Sequence, residues 1–148
     1  MGLALKRAKS EVKNGRRPIY CLVVKEDGQI AGEAGNTVAQ DFDPSAHAEV
    51  NAIRNACVSL NTTNLSGCTL YTPMEPCPMC LSTILEARIS RLVLGARHKR
   101  VGRTDLGAYS VEALITLVSR ELDLVLGVRE KECEELRVSW MQTLRKTQ

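Results

Sequence analysis

Leu70-Tyr71-Thr72-Pro73-Met74-Glu75-Pro76-Cys77-Pro78-Met79-Cys80 joins two structural patterns in one short stretch. With Cys68 and Thr69 before it, the first part has the apolar, β-favouring composition of a buried strand over Cys68–Thr72. The second part opens a helix. Pro78 suits a first helical turn, where a backbone N–H has no partner, and Met79, Leu81, Ile84 and Leu85 keep helical spacing as far as Arg88. Cys77 and Cys80 stand three apart, on one helical face, so both sulfurs reach the same point in space. A helix N-terminus favours negative charge and lowers thiol pKa, which suits two thiolates sharing one metal ion.

Working outward, the flanking chain alternates strands and helices. Leu3–Asn14 reads as an amphipathic helix with Gly15 past its end, and Lys6, Arg7, Lys9 and Lys13 on its polar face. Ile19–Lys25 is a buried strand, Asp27-Gly28 a hairpin turn, and Ile30–Gly35 the returning strand. Asn36–Pro44 reads as a loop and His47–Leu60 as a helix with Ala48, Val50, Ile53, Ala56, Cys57 and Leu60 inward. After the central stretch come a strand at Arg91–Gly95, a basic loop over Ala96–Gly107, a helix at Val111–Arg120, a strand at Leu122–Leu126 and a charged amphipathic helix at Arg129–Leu144. A hairpin followed by strand–helix alternation implies an α/β fold, a mixed sheet with helices on both faces.

The 148 residues suit one domain. With 44% apolar and 25% charged residues there is enough material for a core, and a net charge of +3 neither demands nor excludes a nucleic-acid partner. Aromatics make up only 3%, few for serial base stacking along a strand. The chain shows neither a signal-peptide pattern nor a membrane-spanning apolar run, so a cytoplasmic setting with reduced thiols is expected. Cys21, Cys57, Cys68 and Cys133 lie in apolar patterns and read as buried structural residues.

His47-Ala48-Glu49 completes the constellation. His47 falls at the start of its helix, and only residues 50–75 separate the His47–Glu49 half from the half that begins at Pro76. If the two helix starts converge, His47, Cys77 and Cys80 supply three ligands and leave a fourth position open, the pattern of catalytic zinc. A redox Cys-x-x-Cys site would leave His47 and Glu49 without a role. A structural zinc site would need a fourth ligand, for which His98, Cys57 and Cys68 are the spare candidates. A purely structural site also has no use for the Glu49 carboxylate.

His-x-Glu followed by Pro-Cys-x-x-Cys resembles the signature of the zinc-dependent cytidine deaminase-like superfamily. The resemblance runs over about Leu3–Gly107 and is densest at Asp43–Arg54 and Leu70–Cys80, strings most like bacterial guanine deaminases and next like tRNA adenosine deaminases. It implies a three-layer α/β/α sandwich with a five-stranded mixed sheet, a homodimer, and hydrolytic replacement of a ring amine by a carbonyl. Zinc then makes water nucleophilic near neutral pH, and Glu49 carries protons to the ring nitrogen and to the departing ammonia. The expected substrate is a free nucleobase or nucleoside, guanine-like first; adenosine in tRNA and cytosine-type compounds are the alternatives, and a non-catalytic zinc-stabilised module comes last. Asn36 matches a family position that contacts base or sugar, although a turn asparagine after Gly35 has the same appearance. Ala48, beside the first ligand, is a further contact. Asp105 either accepts from guanine N–H groups or is a solvated turn residue. Phe42, Tyr109 and Trp140 are the aromatics available to stack on a base, Trp140 having core packing as its other reading. Arg97, Lys99, Arg100 and Arg103 suit either a phosphate backbone or a solvated loop.

Overall fold

The computed structural model describes residues 1–146, and the side chains of residues 1–145. Its elements are α1 (Gly2–Lys13), β1 (Tyr20–Val24), β2 (Ile30–Gly35), α2 (Val38–Asp41), α3 (Ala48–Leu60), β3 (Thr69–Met74), α4 (Pro78–Glu86), β4 (Arg91–Ala96), α5 (Val111–Leu117), β5 (Asp123–Val125) and α6 (Glu130–Lys146). The strands form one five-stranded sheet in the order β2-β1-β3-β4-β5. β1 runs antiparallel to both β2 and β3, whereas β3, β4 and β5 are mutually parallel. The mixed α/β sheet expected from the sequence is therefore present.

Helices cover both sides. α3, α4 and α5 pack their apolar residues into a cluster with Cys21, Val23, Leu70, Leu92 and Leu94. α1 and α6 bring Leu5 and Cys133 to a second cluster with Met74, Ala96 and Val101. Two glycines permit the close approach of helix to sheet. A Cβ on Gly32 would overlap the backbone of Ala52 and Ala56 in α3, and one on Gly95 would meet the Cys133 sulfur of α6.

The register also fixes what meets at one end of the sheet. Leu22 pairs with Tyr71 and Tyr20 with Gly35, so extending both ladders sets Ile19 level with Met74 and with Asn36. Met74 pairs with Ala96, which leads straight into Arg97 and His98. Four separate segments thus arrive side by side at the carboxyl end of the parallel strands, where open α/β sheets place their ligands.

Some boundaries differ from expectation. Asn36–Pro44 is not all loop: α2 forms one turn, held by the Thr37 hydroxyl donating to Asp41 at 2.6 Å, and it ends at Phe42 in the left-handed region with φ 51°. A four-residue turn leaves no apolar periodicity to detect. β3 continues past Thr72 through Pro73. This is tolerated because the ladder to β1 reaches only Tyr71, so the missing N–H lies where β3 has a neighbour on one side alone. α4 and α5 stop short of Arg88 and Arg120, after which Arg88 (φ 58°) and Ser119 (φ 50°) turn left-handed. Cys21, Cys68 and Cys133 are buried as expected, but Cys57 is only half-buried. No helix among the described residues is long and apolar enough to cross a membrane.

The Gly32–α3 contact gives a first test. Gly32→Ala is expected to push α3 off the sheet and cost about 1–3 kcal/mol, read as a lower urea midpoint. An unchanged midpoint would show that α3 does not bear on β2 as closely as described.

Candidate active site

His47 and Cys77 occupy equivalent places. Each is the extended residue immediately before its helix, His47 at φ −70°, ψ 153° ahead of α3 and Cys77 at φ −72°, ψ 169° ahead of α4. Neither side chain caps its own helix, which leaves both free to face the gap between them. Cys80 follows three residues into α4. The three ligand atoms lie within 4.8 Å of one another. His47 Nδ1 is 3.3 Å from the Cys80 sulfur and 3.7 Å from that of Cys77, and the sulfurs are 3.5 Å apart.

These spacings can be compared with a metal's requirements. Tetrahedral zinc with bonds of about 2.3 Å to sulfur and about 2.05 Å to nitrogen sets sulfur–sulfur edges near ~3.8 Å and sulfur–nitrogen edges near ~3.6 Å. The observed triangle is within a few tenths of an ångström of that, whereas a disulfide would need sulfurs about 2.05 Å apart. The donor set therefore fits zinc. His98, the spare histidine, lies outside the group. The acidity of the thiols is consistent with shared ligation. Hydrogen bonding with Cys80 pushes the Cys77 thiol down, and the same contact with Cys77 pushes Cys80 up, so this pair carries one negative charge before any cation replaces the remaining proton. His47 is raised, chiefly by its hydrogen bond with Cys77.

Glu49 lies on the first turn of α3 and is only 3% exposed. Burial pushes its carboxyl up to about 7, against the opposing pull of its own backbone N–H and of His47. A divalent cation beside it would draw that value down. Glu49 lines a cavity of about 210 Å³ together with His47 and Cys77. Asn36, Ile19, Met74 and His98 arrive there by the register described above, and Glu75, Arg17, Arg103, Arg137 and Trp140 complete the lining. The volume lies below the ~300–1,000 Å³ of drug-sized pockets, and suits one flat ring.

The expected substrate contacts are distributed as follows. Asn36 is buried and lines the cavity; its amide oxygen accepts only a long bond, 3.4 Å, from the Val38 N–H. Its loop is pinned by the Asn51 amide, which donates to Gly35 O (3.2 Å), Thr37 Oγ1 (2.9 Å) and Ala46 O (3.2 Å). Trp140 lines the cavity, with the Arg137 guanidinium 4.7 Å from its ring centroid. Ala48 is buried in the core cluster beneath α3. Asp105 faces solvent and pairs with Arg103 at 3.0 Å, away from the lining. Phe42 is 93% exposed, as its left-handed position at the end of α2 dictates. Tyr109 is a brace: its hydroxyl donates to Pro76 O at 2.7 Å, and burial raises its pKa.

Several residues were not singled out from sequence. Glu75 is buried and fully engaged: Oε2 accepts from Arg97 Nε (3.1 Å) and His98 N (2.9 Å), and Oε1 accepts from Val111 N (3.2 Å). Its signal was available, as it is the only charged residue between Cys68 and Leu85. Arg137 and Trp140 are three apart on α6 and so share a face, but Arg17 had no such mark. Of the basic loop, Arg97 is structural, gripping Glu112 at 2.8 and 2.7 Å as well as Glu75, and Arg100 reaches Glu134 at 3.8 Å; only Arg103 meets the cavity.

With this geometry in place, comparison with known proteins becomes informative. Residues 1–96 match the cytidine and deoxycytidylate deaminase zinc-binding region. The chain belongs to that family. It is 33% identical to the tRNA-specific adenosine deaminase of Bacillus subtilis, covering 97% of this chain and 87% of that protein. It is 49% identical to the guanine deaminase of the same organism over 81 residues, covering 55% of this chain and 51% of that one. A solved structure from work on A-to-I editing by tRNA:A34 deaminases superposes with a TM-score of 0.78 at 35% identity, covering 92% of this chain and 96% of its own. Other relatives are longer: the chain spans 18% of the tRNA(Ile)-lysidine synthase of Deinococcus radiodurans and 66% of the tRNA-specific adenosine deaminase of Aquifex aeolicus.

Two measurements follow. His47→Ala, Cys77→Ser and Cys80→Ser are each expected to lower zinc content well below one ion per chain by plasma mass spectrometry; full occupancy in any of them would remove that residue from the ligand set. The Arg97–Glu112 pair should make stability pH-dependent. Arg97 holds Glu112 down, at about 2 against an ordinary 4.5. A depressed carboxyl stabilises the fold above its unfolded pKa and loses that contribution as pH falls through its folded one. Glu112→Gln is therefore expected to lower Tm at pH 7, by an amount that shrinks below about pH 4.5 and vanishes near pH 2. A pH-independent difference would contradict it.

Proposed function

We propose that this chain is a hydrolytic deaminase acting on an adenine-type base presented by an RNA strand, with zinc held by His47, Cys77 and Cys80. The observation that carries this reading is the polar inventory of the cavity. Guanine presents adjacent N–H donors at N1 and at its 2-amino group, a pair that a free carboxylate accepts at once. The only acids in the lining are Glu49 and Glu75. Both Glu75 oxygens are already taken by three N–H donors, and Asp105 faces away. Adenine offers ring nitrogens as acceptors, which suits the Asn36 amide and the cationic rim. The relatives support the same choice. The guanine deaminase match covers about half of this chain, while the tRNA-specific match extends through α6, whose Arg137 and Trp140 line the cavity.

Bound zinc supplies the activated water of the family's chemistry. Glu49 takes one proton from the attacking water and passes it to the ring nitrogen, then takes the second from the hydroxyl left on the ring carbon and delivers it to the amine, which leaves as ammonia with a carbonyl behind it. Its buried place on the first turn of α3, in the lining beside His47 and Cys77, puts that carboxylate within the site for both transfers. The cavity admits one ring, so the target base must leave its stack, which costs least in a loop. The homodimer and cytoplasmic setting implied earlier belong to this proposal.

A free guanine-like base is the second reading, favoured by the 49% identity to a guanine deaminase over 81 residues. An ammonia-release screen of the zinc-loaded chain separates them, using guanine, adenine, cytosine, their nucleosides and an anticodon stem-loop. Inosine is expected in the stem-loop, and Glu49→Gln is expected to keep zinc while losing about 10²–10⁴-fold in turnover. Guanine turned over with the higher kcat/KM would reverse the order of the two readings, and wild-type turnover in zinc-loaded Glu49→Gln would remove the residue's role.

A further inference from the structure

Three guanidinium groups line the deaminase cavity, those of Arg17, Arg103 and Arg137, and they come from three separate segments of the chain. Their partners are few. Arg103 holds the exposed Asp105. Arg137 is half-buried, and its Nη1 is enclosed with no hydrogen-bond partner among the described residues. Its charge is disfavoured by burial and then by Arg17 and Arg103, so these cations are near enough to repel one another. The two carboxylates in the lining do not relieve this: Glu75 is saturated by Arg97 and two backbone N–H groups, and Glu49 sits with the metal ligands. Trp140 holds the Arg137 plane in place, 4.7 Å from its ring centroid.

A second observation points to a polar ligand in the same place. His98 lines the cavity and is only 5% exposed, yet neither ring nitrogen makes a hydrogen bond. Burial lowers its pKa against the opposing pull of Glu75 and the Pro76 carbonyl, and neither of these meets a ring nitrogen in hydrogen-bond geometry. Buried polar groups of a folded protein are normally paired, so one that is not marks a place where a ligand completes the bonding.

We propose that Arg17, Arg103 and Arg137 form a phosphate subsite at the deaminase cavity, which holds a phosphate of the nucleotide whose base enters. Arginine presents a planar fork that matches phosphate oxygens two at a time, and a desolvated, mutually repelling set gains most from one anion. The inference rests on the deaminase reading above and adds to it a named place for a phosphate of the target nucleotide. Whether that phosphate belongs to a mononucleotide or to a strand is a matter for the test.

The test uses full-length, zinc-loaded Glu49→Gln protein, so that ligands are not consumed. Binding of adenosine, adenosine 5′-monophosphate, adenosine 3′-monophosphate and an anticodon stem-loop is measured by calorimetry, with and without Arg137→Met. At least one monophosphate is expected to bind tenfold or more tighter than adenosine, with that ratio lost in Arg137→Met and partly kept in Arg137→Lys. Removing a crowded cation is expected to leave Tm no lower than in the parent. Should Arg137→Met fold poorly, Arg17→Met with Arg103→Met carries the same comparison from the rim. Equal affinity for adenosine and both monophosphates, or a ratio that survives both sets of substitutions, overturns the subsite. A mononucleotide that shows the ratio while the stem-loop neither binds nor is deaminated would leave the subsite standing and overturn the RNA reading. A stem-loop deaminated equally well by Glu49-bearing wild type and Arg137→Met would do the reverse.

Discussion

The carboxylate of Glu75 is the point on which the site depends. It lies two residues before Cys77, at the end of β3, and it gathers Arg97, the His98 N–H and the Val111 N–H onto two oxygens. Through those bonds the metal-ligand turn, the chain leaving β4 and the start of α5 become one rigid piece. Hydrogen bonds to a charged group contribute about 1.5–3 kcal/mol each, and at 3% exposure the carboxylate has no water to fall back on. Its removal would leave the Arg97 Nε and two backbone amides unpaired, so the cost would be felt as misplacement of ligands as much as lost stability. Tyr109 adds a second tie across the same turn, at Pro76.

The cavity is electrically graded. Its metal end has two thiols, a histidine and a buried carboxyl, a set that shares protons until a cation takes their place. Its other lining residues include Arg17, Arg103 and Arg137, and Arg103 pairs with Asp105, an exposed carboxylate outside the lining. A neutral ring with an anionic attachment satisfies both sets at once, and a bare ring satisfies only the first. Glu112 and Glu75 keep Arg97 out of this account, since that guanidinium is fully committed to them.

Much of this could be read from residues alone, and the reasons are physical. Strands β1 and β4 and helices α3 and α4 bury continuous or periodic apolar positions, so pattern revealed them. His47, Glu49, Cys77 and Cys80 were legible because short-range spacing and helix starts constrain where such side chains point. What escaped depends on distance in sequence. Ile19, Asn36, Met74 and His98 become neighbours only through ladder register, and nothing local in Ile19 or Met74 announces it. Asp105 and Phe42 were chosen for their chemistry, but an ion pair with Arg103 and a left-handed turn hold them in solvent. The strand read over Cys68–Thr72 runs on through Pro73 to Met74, and the one-sided ladder there explains why a proline does not end it.

The two helix starts have one more consequence. His47 and Cys77 hold the positions where serine, threonine or aspartate ordinarily cap a helix, and neither side chain accepts from its own first-turn amides. The partial positive charge of the α4 start instead favours the thiolates placed there, at Cys77 and Cys80. Ligation thereby replaces capping as the force that ends fraying, and metal occupancy becomes a local folding event shared by both helices. The solvent exchange of the first-turn amides of α3 and α4 should then report on the ion, slow together when it is held and fast together when it is not.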